Sequence, residues 1–234
     1  MKLNKKYGII NFHNNCYLNV IIQLFLYNKS TSNIIIYYLD IINNEEKIFN
    51  PEKLIKLLSK KINVNKQNDS HETFTLILDL IPELEKYYEN KISNYYKCQE
   101  CTKCRIKEDK FSTFYIYNSS LEESIKELLI KEQFELECDN CKKKTLTIKK
   151  CKINQLGEVL IFYNVQKKKL KITENITFGN SKYKLTGLIK HFGSQNSGHY
   201  VFIDYINKLI IDDTKIIPIQ NIEMDNIYLV FYTC

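Results

Sequence analysis

The sequence predicts an α+β fold, because helix-type patterns occupy its first part and strand-type patterns its last part. Within residues 69–88 apolar side chains recur at i, i+3, i+4 and i+7, which is the spacing of one helix face. After residue 145 short runs rich in β-branched and aromatic residues alternate with turn residues. Helices and strands that are segregated along the chain favour α+β over alternating α/β.

Three segments of the first part are predicted to be helical, and one is left open. Residues 17–27 are apolar nearly all round, as in a helix buried on most sides. Asn50 and Pro51 open a helix to about residue 61, as an N-cap followed by proline at the first helical position. The helix over 69–88 is kinked or restarted at Pro82. The isoleucine-rich segment 30–44 fits a helix or a strand.

The later segments are mostly predicted strands. Residues 111–117 are typical of a strand, and Ser120 with Glu123 forms a capping-box pattern that opens a helix. Further strands are predicted at 146–151, 159–165, 183–190, 199–205, 209–211 and 227–232. The sequence shows no internal repeat and no Pro/Gly/Ser-rich linker, so we expect a single domain.

Composition favours a soluble globular protein. The 234 residues suffice for a sizeable core, and 44% hydrophobic with 26% charged residues is ordinary for this class. Residues 1–15 lack an apolar core of signal-peptide length, and no apolar run reaches the roughly 18 residues of a membrane span. We therefore expect a cytoplasmic or nuclear protein without a membrane partner. In a reducing compartment its eight cysteines indicate metal binding or catalysis before disulfides.

The net charge of +7 would fit a nucleic-acid binder. The chain has a single arginine, Arg105, and abundant lysine, whereas functional phosphate-binding patches usually include arginine because of its planar fork. We interpret the excess lysine as solvated surface and expect no nucleic-acid partner. The lysine runs 142–144 and 167–169 remain weak patches, so a nucleic-acid binder stays an alternative.

Cys16 lies where an asparagine-rich turn meets the apolar segment 17–27. If that segment is a helix, the cysteine lies in its first turn, where unpaired N–H groups and the helix dipole favour a thiolate. Taken alone, a single cysteine is more often an inert core residue. Its interpretation depends on partners elsewhere in the chain.

Two downstream stretches supply such partners. His199 follows a glycine-bounded polar loop and begins an apolar strand, and Asp212 and Asp213 end the next strand. Either stretch alone also fits a histidine without a role or a simple turn. Together with Cys16 they provide a nucleophile, a base and an orienting acid in a plausible chain order.

A third stretch, residues 67–74, has two interpretations. Asp69 followed by Glu72 is a capping box at a helix N-terminus. The same two acids can face a substrate.

Two C-x2-C pairs indicate a structural zinc site. Cys98 with Cys101 and Cys138 with Cys141 offer four thiolates from two tight turns, which is the ligand set of a zinc ribbon. Cys104 forms a competing pair with Cys101.

These stretches together resemble the ubiquitin-specific proteases, papain-like cysteine proteases that remove ubiquitin. The family's cysteine box reads roughly G-L-x-N-x-G-N-T-C-Y-M-N-S-x-L-Q, and it is matched in register at Gly8, Asn11, Asn14, Cys16, Tyr17, Asn19 and Gln23. The family's Q-x-D-A-x-E-F, G-H-Y and F-D-D segments are similar to residues 67–73, 198–200 and 211–213. Phe111, which follows Asp109, fits the family's E-x-F position and favours Cys101 over Cys104 as the partner of Cys98.

The resemblance implies a catalytic role for five residues. Cys16 would attack the carbonyl of ubiquitin's terminal glycine, His199 would take and later return a proton, and Asp212 would orient His199. Asn11 would donate to the oxyanion beside the Cys16 N–H, and Asp213 would support this oxyanion site indirectly.

The resemblance also implies how substrate and metal are bound. Asp69 and Glu72 would grip the basic tail of ubiquitin, and the loop 193–198 would overlie it. The residues expected to bind substrate are Gln67, Asp69, Glu72, Gly198 and Tyr200. One structural Zn²⁺ is expected at Cys98, Cys101, Cys138 and Cys141.

The fold implied is a papain-like cysteine protease with a helical thumb of about 1–92, zinc-ribbon β fingers of 93–150 and a β palm of 151–234. Ubiquitin and ubiquitinated proteins would be the partners of a monomeric enzyme. Where the family usually has glycine, threonine, serine and proline, this chain has His13, Asn15, Val20 and Gly157, and Gln166 lies near the place of a basic-aromatic pair. His13, beside the oxyanion region, leaves a catalytically weak or silent ubiquitin-binding module open as an alternative. A protease for a ubiquitin-like modifier is a variant of the proteolytic function.

Overall fold

The computed structural model describes residues 7–43, 48–167, 169–194 and 197–234. Its helices are α1 (Cys16–Tyr27), α2 (Lys29–Ile35), α3 (Glu52–Leu58), α4 (Ser70–Leu80), α5 (Glu85–Tyr88) and α6 (Leu121–Leu129), with short 3₁₀ helices at Ile36–Tyr38 and Pro82–Leu84. Its strands are β1 (Gly8–Ile9), β2 (Asp40–Asn43), β3 (Ile48–Asn50), β4 (Asn90–Cys98), β5 (Cys104–Phe111), β6 (Thr113–Ile116), β7 (Glu132–Cys138), β8 (Lys143–Gln155), β9 (Val159–Asn164), β10 (Asn175–Phe178), β11 (Ser181–Ser194), β12 (Ser197–Asp204), β13 (Leu209–Asp212), β14 (Lys215–Pro218) and β15 (Ile227–Thr233). Residue 44 of the segment 30–44, residue 168 of a lysine run, and residues 195–196 of the loop expected over the tail lie outside the described residues.

The predicted helices near the start of the chain are present. Helix α1 begins at Cys16 and is buried on almost every side, as its all-round apolar pattern indicated. Helix α4 stops before Pro82, and a 3₁₀ turn and α5 follow, so the proline restarts the helix. The ambiguous segment 30–44 contains both structures, because α2 gives way to β2 within it. Helix α3 is shorter than predicted and ends at Leu58.

The largest sheet has the strand order β14-β13-β12-β11-β15-β9-β6, with β10 paired to β11. Its pairings are antiparallel except for β6 with β9. Two consecutive hairpins within it, β11-β12 and β12-β13, place His199 and Asp212 on neighbouring strands. The α+β prediction is confirmed.

A separate four-stranded sheet, which we call the finger sheet, has the order β5-β4-β8-β7 and is antiparallel throughout. The sequence predicted only part of β8 here. Strands β5 and β7 were missed because most of their side chains are exposed and carry no apolar run. The strand predicted at 111–117 was wrong in its first residues, since β5 ends at Phe111 and β6 begins at Thr113.

Two hydrophobic cores flank the large sheet. The first packs α1, α2, α3 and α4 against one face, and the second packs α6 against strands of the other. Helix α1 also packs directly on β12, so the helix that begins with Cys16 lies on the strand that begins near His199. A third, small sheet, β1-β3-β2, completes the helical side. No helix in the described residues is both long and apolar enough to cross a membrane.

Candidate active site and metal centre

Cys16 is the first residue of α1 and is 4% exposed. The first turn of a helix leaves backbone N–H groups without intrahelical partners. Among the described residues no acceptor binds the Cys16 N–H; the first helical amides with partners are those of Leu18 and Asn19, which donate to the Asn15 carbonyl. The thiol therefore lies at the positive end of the helix beside a free backbone donor.

The turn before Cys16 is fixed by its asparagine side chains. Asn15 precedes the helix but does not cap it with its side chain. Its Oδ1 instead accepts from the Phe12 N–H at 2.8 Å, and its Nδ2 donates to the Ile10 carbonyl and to Asn19 Oδ1, both at 3.0 Å. The backbone around the nucleophile is thus held by buried amides, which are strong constraints because a buried amide must keep its partners.

His199 and Asp212 are joined by a 2.6 Å contact between Nε2 and Oδ1. Because Nε2 faces the carboxylate, Nδ1 is the nitrogen left for the thiol. The pKa of His199 is raised to about 9, first by its hydrogen bond with Cys16 and then by that with Asp212, against the opposing effect of burial. The imidazolium form of His199 is therefore favoured at neutral pH, and its cation is held by the Asp212 carboxylate.

Asp213 connects the end of β13 to the turn before Cys16. Its Oδ2 accepts from Asn11 Nδ2 at 2.8 Å, and its Oδ1 accepts from Asn19 Nδ2 at 2.7 Å. Its backbone carbonyl accepts from the Ile9 N–H at 2.9 Å. Next to this bond the backbone of residue 8 passes close to the backbone of Thr214. Residue 8 has to be glycine, since a Cβ there would lie 2.9 Å from backbone atoms of Thr214.

Asn11 is oriented at both ends of its amide. Its Oδ1 accepts from the Asn15 N–H at 3.1 Å, and one hydrogen of its Nδ2 is used by Asp213. The second Nδ2 hydrogen is left for another acceptor. Together with the free Cys16 N–H it gives two preorganised donors beside the thiol, as an oxyanion site requires.

Gln67 binds the backbone next to His199. Its Nε2 donates to the Gly198 carbonyl at 2.7 Å, and its Oε1 accepts from the Gly198 N–H at 2.9 Å. On the other side of Gly198, a Cβ would lie 2.3 Å from His191 Nε2. The residue before His199 is therefore held between the helical side and the large sheet, and it has to be glycine.

Asp69 and Glu72 differ in whether their carboxylate oxygens have hydrogen-bond partners. Asp69 caps α4 by accepting from the N–H groups of His71 and Glu72, and its second oxygen accepts from the Tyr228 hydroxyl. Glu72 is exposed and makes no reciprocal capping bond, and its carboxylate has no partner among the described residues. Only half of the capping box forms, so the Glu72 carboxylate can bind a cation.

Tyr200 is 4% exposed, and its ring packs on His191 and Tyr228 at centroid distances of 4.2 and 5.4 Å. This burial favours a packing role for the ring over direct contact with a substrate. Burial also lowers the pKa of His191, which keeps that imidazole neutral close to His199.

The four predicted zinc-ligand cysteines meet at one end of the finger sheet. Their sulfur atoms all lie within 4.8 Å of one another, with Sγ–Sγ distances of 3.9 Å for Cys98–Cys141 and 3.6 Å for Cys101–Cys138. A tetrahedral ion with bonds of about 2.3 Å places its sulfur ligands about 3.8 Å apart. Cys104 is exposed and is not part of the cluster. The four cysteines can hold a metal ion.

The two turns that carry these cysteines have the same backbone form. Each C-x2-C pair is followed by a residue in the left-handed region, Thr102 at φ 56° and Lys142 at φ 54°. In such tight turns backbone N–H groups point at the first sulfur. The hydrogen bond from the Cys101 N–H is the main cause that lowers the pKa of Cys98 to about 6. The hydrogen bond from the Cys141 N–H likewise lowers the pKa of Cys138. Stabilised thiolates are the form that binds metal.

Sequence reasoning assigned no role to Asn15, Asn19 and His191. A signal for the first two was present, because two amides four residues apart at the start of an apolar helix are expected to be buried and to need partners. The sequence held no comparable signal for His191, whose place under Gly198 depends on the pairing of β11 with β12.

A thiol at a helix start, an imidazole–carboxylate pair and two free donors define a thiol hydrolase site. A model of the family described as "Ubiquitin carboxyl-terminal hydrolase" matches residues 7–232. The chain belongs to this family.

Curated relatives are similar at low identity. The probable ubiquitin carboxyl-terminal hydrolase 8 of Schizosaccharomyces pombe is 22% identical over 96% of this chain and 64% of that protein. The probable ubiquitin carboxyl-terminal hydrolase FAF of Drosophila melanogaster is 25% identical over 62% of this chain and 7% of that protein. The chain thus spans less than two thirds of the length of these relatives.

Solved structures confirm the predicted papain-like fold with thumb, palm and fingers. A SAGA deubiquitinating module of Ubp8, Sgf11, Sus1 and Sgf73 bound to monoubiquitin gives a TM-score of 0.79 at 18% identity, covering 100% of this chain and 70% of the matched one. The Ubp8 module bound to ubiquitin aldehyde gives 0.75 at 20% identity, covering 97% and 69%.

We predict that Asp213→Ala lowers the free energy of unfolding by about 1–3 kcal/mol, because it leaves the buried Asn19 amide without its carboxylate. Asp213 also lies at φ 52°, where alanine is less favourable than aspartate. Urea denaturation measures the loss. The matched control is Asp212→Ala, whose half-exposed ion pair with His199 contributes less than about 1 kcal/mol. Equal losses in the two variants would contradict the prediction.

Proposed function

We propose that this chain is a deubiquitinating cysteine protease, which hydrolyses the isopeptide or peptide bond after the C-terminal glycine of ubiquitin. The observation that carries the proposal is the assembled site, in which Cys16, His199 and Asp212 meet beside the donors of Asn11 and the helix N-terminus. Membership of the family and the ubiquitin-bound structures of similar fold support ubiquitin as the substrate.

In the first half of the reaction the Cys16 thiolate attacks the carbonyl carbon of the terminal glycine. The negative charge that develops on the carbonyl oxygen is bound by the Cys16 N–H and by the free hydrogen of Asn11 Nδ2. The C–N bond then breaks, and the His199 imidazolium gives its proton to the leaving lysine amine. The products of this half are a thioester on Cys16 and the free amine.

In the second half neutral His199 removes a proton from a water molecule, which attacks the thioester. The same two donors bind the oxyanion, the C–S bond breaks, and the thiolate is restored beside the imidazolium. The ubiquitin tail leaves as a carboxylate. Asp212 holds the imidazole in one orientation through both halves and stabilises its cation.

Recognition of the tail is assigned to the cleft between α4 and the β11-β12 hairpin. Glu72 offers a free carboxylate at the start of α4, and Asp69 lies beside it. These acids complement the basic tail of ubiquitin. The backbone of Gly198, aligned by Gln67, lies at the inner end of this path next to His199.

We further propose that the cysteine cluster binds one structural Zn²⁺. The sulfur spacing fits a tetrahedral ion, and Thr145 Oγ1 lies 3.2 Å from Cys98 Sγ to support one ligand. The finger sheet also needs such a constraint, because β5 and β7 are mostly exposed and, apart from Phe111 at the end of β5, their described side chains do not pack in either core. When bound, the metal fixes the two turns and takes no part in the hydrolysis.

The compartment proposed is the cytoplasm or nucleus. Cysteines used for metal binding and catalysis rather than for disulfides are typical of such a reducing compartment.

The decisive test of the proposed activity is cleavage of a fluorogenic amide at the ubiquitin C-terminus. We expect the wild-type protein to release the fluorophore and Cys16→Ala to release none above the uncatalysed rate. The control is Cys104→Ala, an exposed thiol outside both sites, which retains full activity. The proposal would be refuted if the wild-type protein showed no turnover and also formed no adduct at Cys16 on treatment with a ubiquitin C-terminal electrophile. Parallel substrates built on ubiquitin-like modifiers identify the modifier.

The pH profile reports His199. Since its pKa is raised to about 9 from the usual 6.5, the cation contributes to the folded site fully below pH 6.5 and is lost as pH rises through about 9. We expect kcat/KM to fall above about pH 9. Asp212→Asn removes one cause of the raised pKa, so the descending limb moves to lower pH and the rate drops at least about tenfold. Asp79→Asn, on the exposed side of α4, leaves the profile unchanged; an unmoved limb in Asp212→Asn contradicts this assignment.

Metal analysis tests the zinc proposal. We expect about one Zn²⁺ per chain, and loss of the ion with a lower melting temperature in Cys141→Ser. Cys104→Ser is the matched control, because Cys104 lies close in sequence to the cluster but outside it, and this variant keeps its metal. A folded metal-free wild type, or metal binding that survives Cys141→Ser unchanged, would overturn the assignment.

A further inference from the structure

A cavity of about 280 Å³ adjoins the turn that presents the nucleophile. Its walls come from Phe12, His13 and Asn15 of that turn, from Glu52 and Ile55 of α3, and from Val64 in the following loop. Asn15, which forms part of the wall, is the residue directly before Cys16 in the chain.

The cavity is separate from the path assigned to the ubiquitin tail. None of Gln67, Asp69, Gly198 or His199 lines it. An amide substrate has two halves, which leave the reacting carbonyl in different directions. One half runs along Gly198 towards α4, whereas the cavity lies against residues 12–15, the turn between the oxyanion donor Asn11 and Cys16. This arrangement makes the cavity available to the second half, the amine that leaves.

The walls match the chemistry of a lysine-containing peptide. Phe12 is 44% exposed, and Ile55 and Val64 are half-buried, so they offer apolar surface to an aliphatic side chain. Glu52 is exposed at the rim, and its carboxylate contacts only Asn50 Nδ2, at 3.5 Å, among the described residues. An uncompensated carboxylate beside apolar walls favours a cationic side chain with a long aliphatic stem. The volume suits one or two side chains rather than a folded domain.

We propose that this cavity is the leaving-group subsite, which binds the peptide segment flanking the modified lysine of the target protein. The inference rests on the proposed isopeptidase function and extends it from ubiquitin to the other side of the bond. Apolar and basic residues next to the modified lysine are the features it selects. Phe12, Glu52 and Val64 are the specificity-determining residues.

The turn that forms the inner wall explains how occupancy of the cavity reaches the chemistry. The Phe12 N–H donates to Asn15 Oδ1, and the Asn15 N–H donates to Asn11 Oδ1. A peptide seated against Phe12 therefore lies against the hydrogen-bonded turn that aligns the oxyanion donor. Peptide binding and alignment of the scissile bond occur on one rigid element.

The test compares two substrates that share the ubiquitin half. One carries a small fluorophore amide, and the other carries an isopeptide bond to a peptide whose modified lysine is followed by leucine and lysine. For Glu52→Lys we expect the ratio of kcat/KM, peptide over fluorophore, to fall about fivefold. For Val64→Phe, which fills the cavity without changing charge, we expect a fall of about tenfold. Glu83→Lys makes the same charge change at an exposed position outside the cavity and leaves the ratio unchanged.

The outcomes separate this inference from the function on which it rests. Selective loss on the peptide substrate in both cavity variants supports the subsite. Equal losses on both substrates, or no loss on either, overturn it while the hydrolase activity stands. A wild-type protein that cleaves neither substrate overturns the proposed function itself, and the subsite with it.

Discussion

The hydrogen bonds of the Asp213 carboxylate hold this molecule's active site together. They join Asn11 and Asn19, which lie 202 and 194 positions before Asp213 in the chain, to the end of the strand that also carries Asp212. Without them the helix that begins with Cys16 and the sheet that carries His199 would be joined by apolar packing, by the hydrogen bond from the Tyr27 hydroxyl to Asp204 and by the contact of Cys16 with His199 itself. Packing alone fixes position less sharply than charge-assisted hydrogen bonds, whose geometry is directional. The distance between Cys16 and His199 thus depends on the Asp213 hydrogen bonds, which involve neither of these two residues.

The polar network runs through an otherwise apolar helix, and this combination has a cost. Asn19 and Gln23 in α1, and Asn15 just before it, are buried among residues that are almost all hydrophobic. Each buried amide is stable only while its partners remain: the Gln23 Nε2 donates to the Tyr7 carbonyl at 2.6 Å, and Asn19 bonds Asp213. Such a network contributes little net stability but penalises every alternative arrangement of the turn. Its role is to specify one conformation of the site.

Much of the architecture was predictable from local patterns. Helix α1 followed from a segment that is apolar nearly all round, and the restart at Pro82 followed from the missing N–H of proline. Most strands of the large sheet were predictable because their buried side chains form apolar runs, as in β9 and β15, whereas β10 and β14 were not predicted. Strands β5 and β7 were not, since they are stabilised by pairing with β4 and β8 rather than by burial of their own side chains.

The candidate site also has features that were predictable from local patterns and features that were not. The resemblance gave the residues of the Cys16–His199–Asp212 set, because their chain order and flanking glycines are local features. It did not give the direction of the Gln67 amide, which binds both backbone groups of Gly198. It also did not give the burial of Tyr200, which depends on packing between distant strands. Contacts that cross from the helical side to the sheet are properties of the fold, and no local pattern encodes them.

Strand β8 gives the molecule a distinct mechanical character. Its 13 residues span about 40 Å from the body of the protein to the cysteine cluster. Among the described residues, the far end of the finger sheet belongs to neither hydrophobic core, whereas Cys16 belongs to the first core at the other end. We therefore expect backbone amides near the cysteines to exchange with solvent through local openings that leave the helices and the large sheet folded. Motion of the finger sheet would then leave the geometry around Cys16 unchanged.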